Sequence, residues 1–121
     1  MNYKGVIIEE SLTNKELFTL CEIMSTRVSE NNNPKTNAGE SKWTLHQVEV
    51  PESNLKKVTE QLSENLKLPN WWADLSSEDN VYIIFHNKIF KGKNSDNKFR
   101  KEVISYAHSL NLPKGQIPLS G

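Results

Sequence analysis

The chain has little of the chemistry that stabilises secreted and membrane proteins. It contains one cysteine, Cys21, in 121 residues, so no internal disulfide can form, as is usual in a reducing cytoplasm. No apolar run approaches the roughly 20 residues needed to span a bilayer. Residues 1–10 hold too short a hydrophobic stretch for a secretory leader. These absences predict a cytoplasmic protein without membrane contact, folded as a single domain over residues 1–121.

The chain also lacks net charge, because 15 basic side chains balance 15 acidic ones. This balance argues against nucleic acid as a partner. The basic side chains are nevertheless unevenly placed: residues 88–101 hold six Lys or Arg and one acidic residue, Asp96. This segment therefore keeps an anion site open as a hypothesis.

Sequence signatures of common chemistries are missing as well. The chain contains no HExxH, CxxC, G-x-S-x-G, P-loop or G-x-G-x-x-G motif. We therefore predict no metal and no cofactor. No activity follows from the sequence, and whether the protein is an enzyme stays open.

Hydrophobic periodicity predicts six strands and three helices. Leu55, Val58, Leu62 and Leu66 recur at helical spacing, and the capping-box spacing of Thr13 and Glu16 predicts an earlier helix. Apolar residues on both faces of 81–85 predict a central strand, followed by a two-residue turn. The predicted strands are 4–9, 23–28, 43–50, 71–75, 81–85 and 88–92. The predicted helices are 14–21, a second that follows Pro51 and ends at 68–70, and a third that is capped by Ser95 or Asp96 and runs to Leu110. The alternative for 23–28 is a continuation of the first helix.

This order predicts an α+β fold, an antiparallel sheet with helices packed on one face. A ferredoxin-like core with an added hairpin and C-terminal helix would satisfy it. Residues 29–42 contain no large apolar side chain, so we expect a mobile loop. Because strand 81–85 is apolar on both faces, the second face of the sheet needs a cover. A second subunit in a homodimer would supply it, as would the loop and the tryptophans.

Two segments, WTLHQVEVP at 43–51 and YIIFHNKIFKG at 82–92, resemble a family of small uncharacterised prokaryotic proteins. Its members are similar in length and open with a stretch like KGVIIEESL, found here at 4–12. The resemblance implies a stable single domain. It brings no activity or cofactor.

The first candidate site combines a histidine with an aromatic cleft. His46 lies in a strand and pairs in principle with Asp74 for acid–base chemistry, while Trp72 and Tyr82 offer flat surfaces for a small organic ligand. The alternative is that His46 is a core histidine bonded to its neighbours and that the tryptophans are ordinary packing.

The second candidate site is the basic segment, where an anion would be held by Lys91, Lys93, Lys98, Arg100 and Lys101. The alternative is a solvated helix face. Our leading hypothesis is a small-ligand-binding or assembly module. A small enzyme using His46 and Asp74 is the first alternative, and anion or nucleic-acid binding is the second.

Overall fold

The computed structural model describes residues 2–30, 42–68 and 71–112. Its strands are β1 (Asn2–Ile8), β2 (Glu22–Glu30), β3 (Lys42–Pro51), β4 (Trp72–Ser77), β5 (Asn80–Phe85) and β6 (Lys88–Lys93). Its α-helices are α1 (Leu55–Asn65) and α2 (Asn97–Ser109). Short 3-10 helices occupy Glu9–Ser11, Glu16–Leu20 and Glu52–Asn54.

The six strands form one sheet in the order β2-β3-β1-β4-β5-β6, with every neighbouring pair antiparallel. The predicted α+β fold with an antiparallel sheet is therefore confirmed. The expected mobile loop falls mainly on 31–41, outside the described residues. The two ends of the predicted loop are strand instead, because β2 runs to Glu30 and β3 begins at Lys42.

The first core lies between α1 and one face of the sheet. The apolar stripe predicted for this helix is buried there, and Val58 and Leu62 have no exposed surface. The sheet contributes alternate residues of its inner strands, because successive strand side chains point to opposite faces. These residues are Tyr3, Ile7, Val48, Val50, Ala73, Leu75 and Ile84.

A second core lies on the opposite face, between α2 and β5. Val81, Ile83 and Phe85 pack there with Phe99 and Val103 of α2, whereas the intervening Ile84 belongs to the first core. The structure thus places the two helices on opposite faces rather than both on one. The physical reason is the two-sided apolarity of β5, which needs one cover on each side.

Helix α2 supplies the cover that the sequence led us to expect from a second copy of the chain or from the loop and the tryptophans. The two-sided apolarity of β5 therefore no longer requires a homodimer. On the same side of the sheet as α2, Val6 of β1 is 42% exposed.

The helix predicted over 14–21 is a shorter 3-10 helix. The hydroxyl of Thr13 donates to the carbonyl oxygen and side chain of Asn65, at 3.3 and 3.1 Å, instead of capping its own turn. The side-chain oxygen of Asn14 accepts from the backbone N–H of Glu16 at 2.8 Å. The competing long-range contact explains why the capping-box spacing did not produce an α-helix.

Strands β1 and β4 join the two halves of the sheet, and they approach closely at Gly5. A Cβ atom at Gly5 would lie 2.1 Å from the carbonyl oxygen of Asp74. Only glycine fits this contact. The turn after β5 is the predicted one: Asn87 has a φ of 58°, and His86 Nδ1 lies 2.9 Å from the carbonyl oxygen of Leu66.

The two outer strands, β2 and β6, differ in the features that lie along their outer edges. Strand β2 has an irregular register between Ile23 and Ser25, the mark of a β-bulge. Strand β6 carries lysines at 88, 91 and 93. No other strand within the described residues pairs with the outer side of either.

Candidate functional site

His46 lies on β3 and faces the first core. It is 8% exposed, and its ring packs edge-on against Phe18 with the centroids 4.9 Å apart. Strand alternation places His46 on the same face as Val48 and Val50. Phe18 comes from the 3-10 helix Glu16–Leu20, which lies over this part of β3.

Both ring nitrogens of His46 have hydrogen-bond partners. Nε2 lies 3.0 Å from Glu9 Oε1, and Nδ1 lies 2.9 Å from Thr26 Oγ1. An ionised carboxylate only accepts hydrogen bonds, so Nε2 carries a proton. In the neutral imidazole Nδ1 is then the acceptor, and the Thr26 hydroxyl donates to it. The result is a directed chain from hydroxyl through imidazole to carboxylate.

The carboxylate end of this chain is held in its charged form. The hydrogen bond from His46 lowers the pKa of Glu9, and burial opposes this only in part. Lys15 adds to the lowering, with its Nζ 3.3 Å from Glu9 Oε2. Glu9 is thus fixed between a cation and the imidazole.

The adjacent Glu10 anchors the start of β3. It accepts from the backbone N–H of Thr44 at 2.6 Å and from the Thr44 hydroxyl at 2.8 Å. Burial raises the pKa of Glu10, but these two hydrogen bonds, together with one from its own backbone, lower the pKa overall. The 3-10 turn Glu9–Ser11 therefore presents two carboxylates to β3.

The acid–base pair predicted from the sequence, His46 with Asp74, is not formed. Asp74 pairs in register with Ile83, whose side chain belongs to the second core, so its own side chain points to the α2 side of the sheet. His46 points to the other side. Burial raises the pKa of Asp74, and its side chain lines a pocket of about 210 Å³ with Ser76, Glu78, Val81 and Asn94.

The four residues predicted to share a ligand site are divided by the sheet. Trp72 packs against the second core, on the same side as Asp74. Tyr82 lies on the side of His46, with its ring 5.6 Å from that of Tyr3. The common pocket expected for these residues is therefore absent. Adjacent Trp71 is 2% exposed in the first core, so the two tryptophans face opposite sides of the sheet.

The basic segment folds into β6 and the start of α2, with an open groove between them. The groove has a volume of about 760 Å³. Its floor includes the rings of Phe90 and Tyr106, whose centroids are 5.5 Å apart. Lysines dominate its charged lining, which consists of Lys88, Lys98, Lys101 and Glu102, with Ser105 beside them.

The structure brings together only two of the five cations predicted to bind an anion. Lys98 and Lys101 line the groove. Lys91 lies on the other face of the sheet, with its Nζ 5.6 Å from the Tyr82 ring centroid, and strand alternation places Lys93 there too. Arg100 donates to the carbonyl and side-chain oxygens of Asn94, at 3.2 and 2.9 Å.

Three participants in these sites were not predicted from the sequence. Lys88 shares a strand face with Phe90, a signal that period-two alternation carries. Thr26 is paired with His46 only through the register of β2 against β3. Glu9 reaches His46 across 37 positions of sequence. The last two contacts depend on long-range pairing, which no local pattern shows.

No group of three or more His, Cys, Asp or Glu side chains in the described ranges is arranged to hold a metal ion. No helix among those residues is both long and apolar enough to cross a membrane.

Comparison with known proteins assigns the chain to no family. Neither the protein-family models, nor the curated proteins, nor the solved structures contain a match to it.

Proposed function

We propose that this protein binds a small organic anion with a flat apolar portion, held in the groove between β6 and α2. The observation that carries the proposal is the placement of Lys88, Lys98 and Lys101 around the rings of Phe90 and Tyr106. Ligand sites commonly combine an apolar floor with a few charged groups that fix orientation.

The charge of the groove favours an anion. Three lysines stand against Glu102, and the first turn of α2 carries no acidic residue. The N-terminal end of a helix is itself partially positive. Asp96, the N-cap, accepts from the backbone N–H groups of Lys98 and Phe99. Recognition would therefore depend on the lysine side chains rather than on free helix N–H groups.

The floor of the groove favours a ligand with a ring. The Lys88 ammonium lies 5.1 Å from the Phe90 centroid and 5.8 Å from that of Tyr106. Phe85 supports both rings from the second core, with centroids 6.1 and 5.0 Å away. A fixed aromatic floor beside a cation suits a molecule that is itself part ring and part charge.

The distribution of charge also favours a small ligand over a nucleic acid. A nucleic-acid backbone needs a continuous basic track. Here Lys91 and Lys93 lie across the sheet from Lys98 and Lys101, and Arg100 is bonded to Asn94. The described residues thus offer a local cluster rather than a track.

The test is titration with 1-naphthyl phosphate, followed by amide chemical shifts in solution. We expect saturable shifts in β6 and α2, weaker binding of inorganic phosphate, which lacks the ring, and weaker binding of 1-naphthol, which lacks the charge. At an ion–ion separation near 4 Å each lysine contributes about 1 kcal/mol in water. Lys98→Gln with Lys101→Gln should therefore weaken binding about tenfold or more.

The matched control is Lys56→Gln with Lys57→Gln, two exposed lysines on α1, which packs on the opposite face of the sheet from the groove. It removes the same charge and should leave the titration unchanged. Equal weakening by both double variants would refute a site in the groove, as would shifts centred elsewhere. Tighter binding of a single-stranded oligonucleotide than of 1-naphthyl phosphate would favour the nucleic-acid alternative.

Three broader predictions accompany this function. We propose that β1 to β4 and their connections form a ferredoxin-like core to which β5, β6 and α2 are added, and the strand order β2-β3-β1-β4 supports this.

The single cysteine supports a cytoplasmic location. A homodimer stays a prediction, to be checked by light scattering over a range of concentrations.

A further inference from the structure

We propose a second site, an esterase centre in which the Thr26 hydroxyl is the nucleophile, His46 is the general base and Glu9 positions the imidazole. The chain of contacts is Thr26 Oγ1 to His46 Nδ1 at 2.9 Å and His46 Nε2 to Glu9 Oε1 at 3.0 Å. This is a nucleophile, base and carboxylate in series, the arrangement that activates a hydroxyl group. It is independent of the groove between β6 and α2.

The direction of the hydrogen bonds suits this chemistry. Glu9 fixes the proton on Nε2 and leaves the Nδ1 lone pair facing the Thr26 hydroxyl. The negative charge of Glu9 also favours the imidazolium that forms when His46 takes a proton. Lys15, 3.3 Å from Glu9, holds the carboxylate in place.

The nucleophile is accessible whereas the base is protected. Thr26 is exposed on the outer strand β2, and His46 beneath it is 8% exposed and covered by Phe18. A general base shielded in this way retains its orientation while substrate approaches from the open side.

The surroundings of Thr26 indicate the substrate class. Ile23 and Val28 pair with Val48 and Thr44, so they share the face of Thr26. They are 43% and 58% exposed, so accessible aliphatic surface flanks the hydroxyl. This apolar surface beside the hydroxyl suits an ester with a short aliphatic acyl group and a good leaving group.

The reaction proceeds in two balanced steps. The Thr26 oxygen bonds to the ester carbonyl carbon while its proton passes to His46 Nδ1, and the alcohol leaves with that proton. The Thr26 acyl ester is then attacked by water, whose proton passes to Nδ1 and on to the Thr26 oxygen as the acid is released. Glu9 keeps its hydrogen bond to Nε2 in both steps.

The experiment measures hydrolysis of p-nitrophenyl acetate and identifies the acylated residue by peptide mass spectrometry. We expect an acetyl group on the peptide containing Thr26. Thr26→Val removes the hydroxyl at nearly constant shape, and His46→Gln removes the base. Each should lower the rate about a hundredfold, in the range of a lost general base. Thr26→Ser should retain activity.

Glu9 is tested as a positioning residue. Glu9→Gln should lower the acylation rate, and Glu9→Asp, which keeps the charge, should recover part of it. A purely structural role would give both variants the same rate once their folding is matched by circular dichroism. The control is Ser25→Ala, which removes a hydroxyl of β2 that bonds to Gln47 on the opposite face.

Two results would overturn the proposal. One is unchanged hydrolysis by folded Thr26→Val, which would assign the background rate to other nucleophiles. The other is acetylation confined to lysines or to Cys21. Neither result bears on naphthyl phosphate binding in the groove.

Discussion

Substituting Gly5 by alanine tests the packing of the seam between the two halves of the sheet. The new Cβ atom would lie 2.1 Å from the carbonyl oxygen of Asp74 and 3.1 Å from a methyl carbon of Leu75. A carbon–oxygen contact needs about 3.3 Å or more, so β1 and β4 must separate by about 1 Å. The obstacle is backbone, which cannot turn aside as a side chain would.

The magnitude follows from the hydrogen bonds at that seam. An opening of about 1 Å takes N–H···O distances from about 2.9 Å to beyond the bonding range. Each backbone hydrogen bond contributes about 1 kcal/mol net, and a lost pair leaves buried polar groups unsatisfied. Lys4 pairs in register with Ser76 across this seam. Losing the hydrogen bonds of that pair and leaving their buried groups unsatisfied costs about 3 kcal/mol. Alanine recovers less than about 1 kcal/mol by restricting the unfolded chain, so we expect a net loss of about 2 kcal/mol.

Urea unfolding monitored by circular dichroism measures this loss. With a slope near 1.5 kcal/mol/M, the midpoint should fall by about 1.3 M. Lys4→Ala is the control on the same strand. It removes an exposed side chain whose ion pair with Glu49, at 3.7 Å, is worth under about 0.5 kcal/mol. A Gly5→Ala midpoint equal to that of Lys4→Ala would refute the close approach of β1 and β4.

Three other predictions concern stability and reactivity. Burial raises the pKa of Asp74, so the folded state binds the carboxyl proton more tightly than the unfolded state does. The free energy of unfolding therefore falls as the pH rises from the pKa of Asp74 in the unfolded chain to its pKa in the folded protein. Asp74→Asn should therefore raise the melting temperature at pH 7 and have little effect near pH 3, and a lower melting temperature at pH 7 would contradict this. Burial raises the pKa of the Cys21 thiol to about 11, so iodoacetamide at pH 8 should modify it about a hundredfold more slowly than an ordinary thiol. Rapid labelling without urea would count against that burial. Leu62→Ala should cost about 3 kcal/mol by urea unfolding, because Leu62 is fully buried in the first core, and a cost below about 1 kcal/mol would show that the α1 contact is loose.

Much of the fold was predictable because its signals are local. The repeat from Leu55 to Leu66 predicts α1 through its helical period, and the two-sided apolarity of 81–85 predicts a strand covered twice. Asn87 predicts the tight turn because its backbone tolerates a positive φ. The sequence pattern did not show which face each helix covers, because α1 and α2 have similar apolar stripes.

The candidate sites were less predictable because strand register decides them. Nothing in the sequence excludes a contact between His46 and Asp74. Their positions in β3 and β4, however, point the two side chains to opposite faces of the sheet. Glu9, the actual partner of His46, depends on a 3-10 turn after β1 that brings it to β3. The cations of the basic segment are split between the two faces of the sheet for the same reason, because Lys88 and Lys91 lie on different faces of β6.

The bulge in β2 and the lysines of β6 have a consequence for how molecules of this protein behave in concentrated solution. Within the described residues, β2 and β6 each pair with another strand on one side alone, and an unpaired strand edge is a template to which another molecule can add. Met24 and Val28 are exposed on β2. The irregular register at Ile23 and Ser25 interrupts a straight template on one rim, and mutual repulsion between ammonium groups discourages stacking on the other. Neutralising Lys88, Lys91 and Lys93 together would therefore promote fibril growth from the β6 rim.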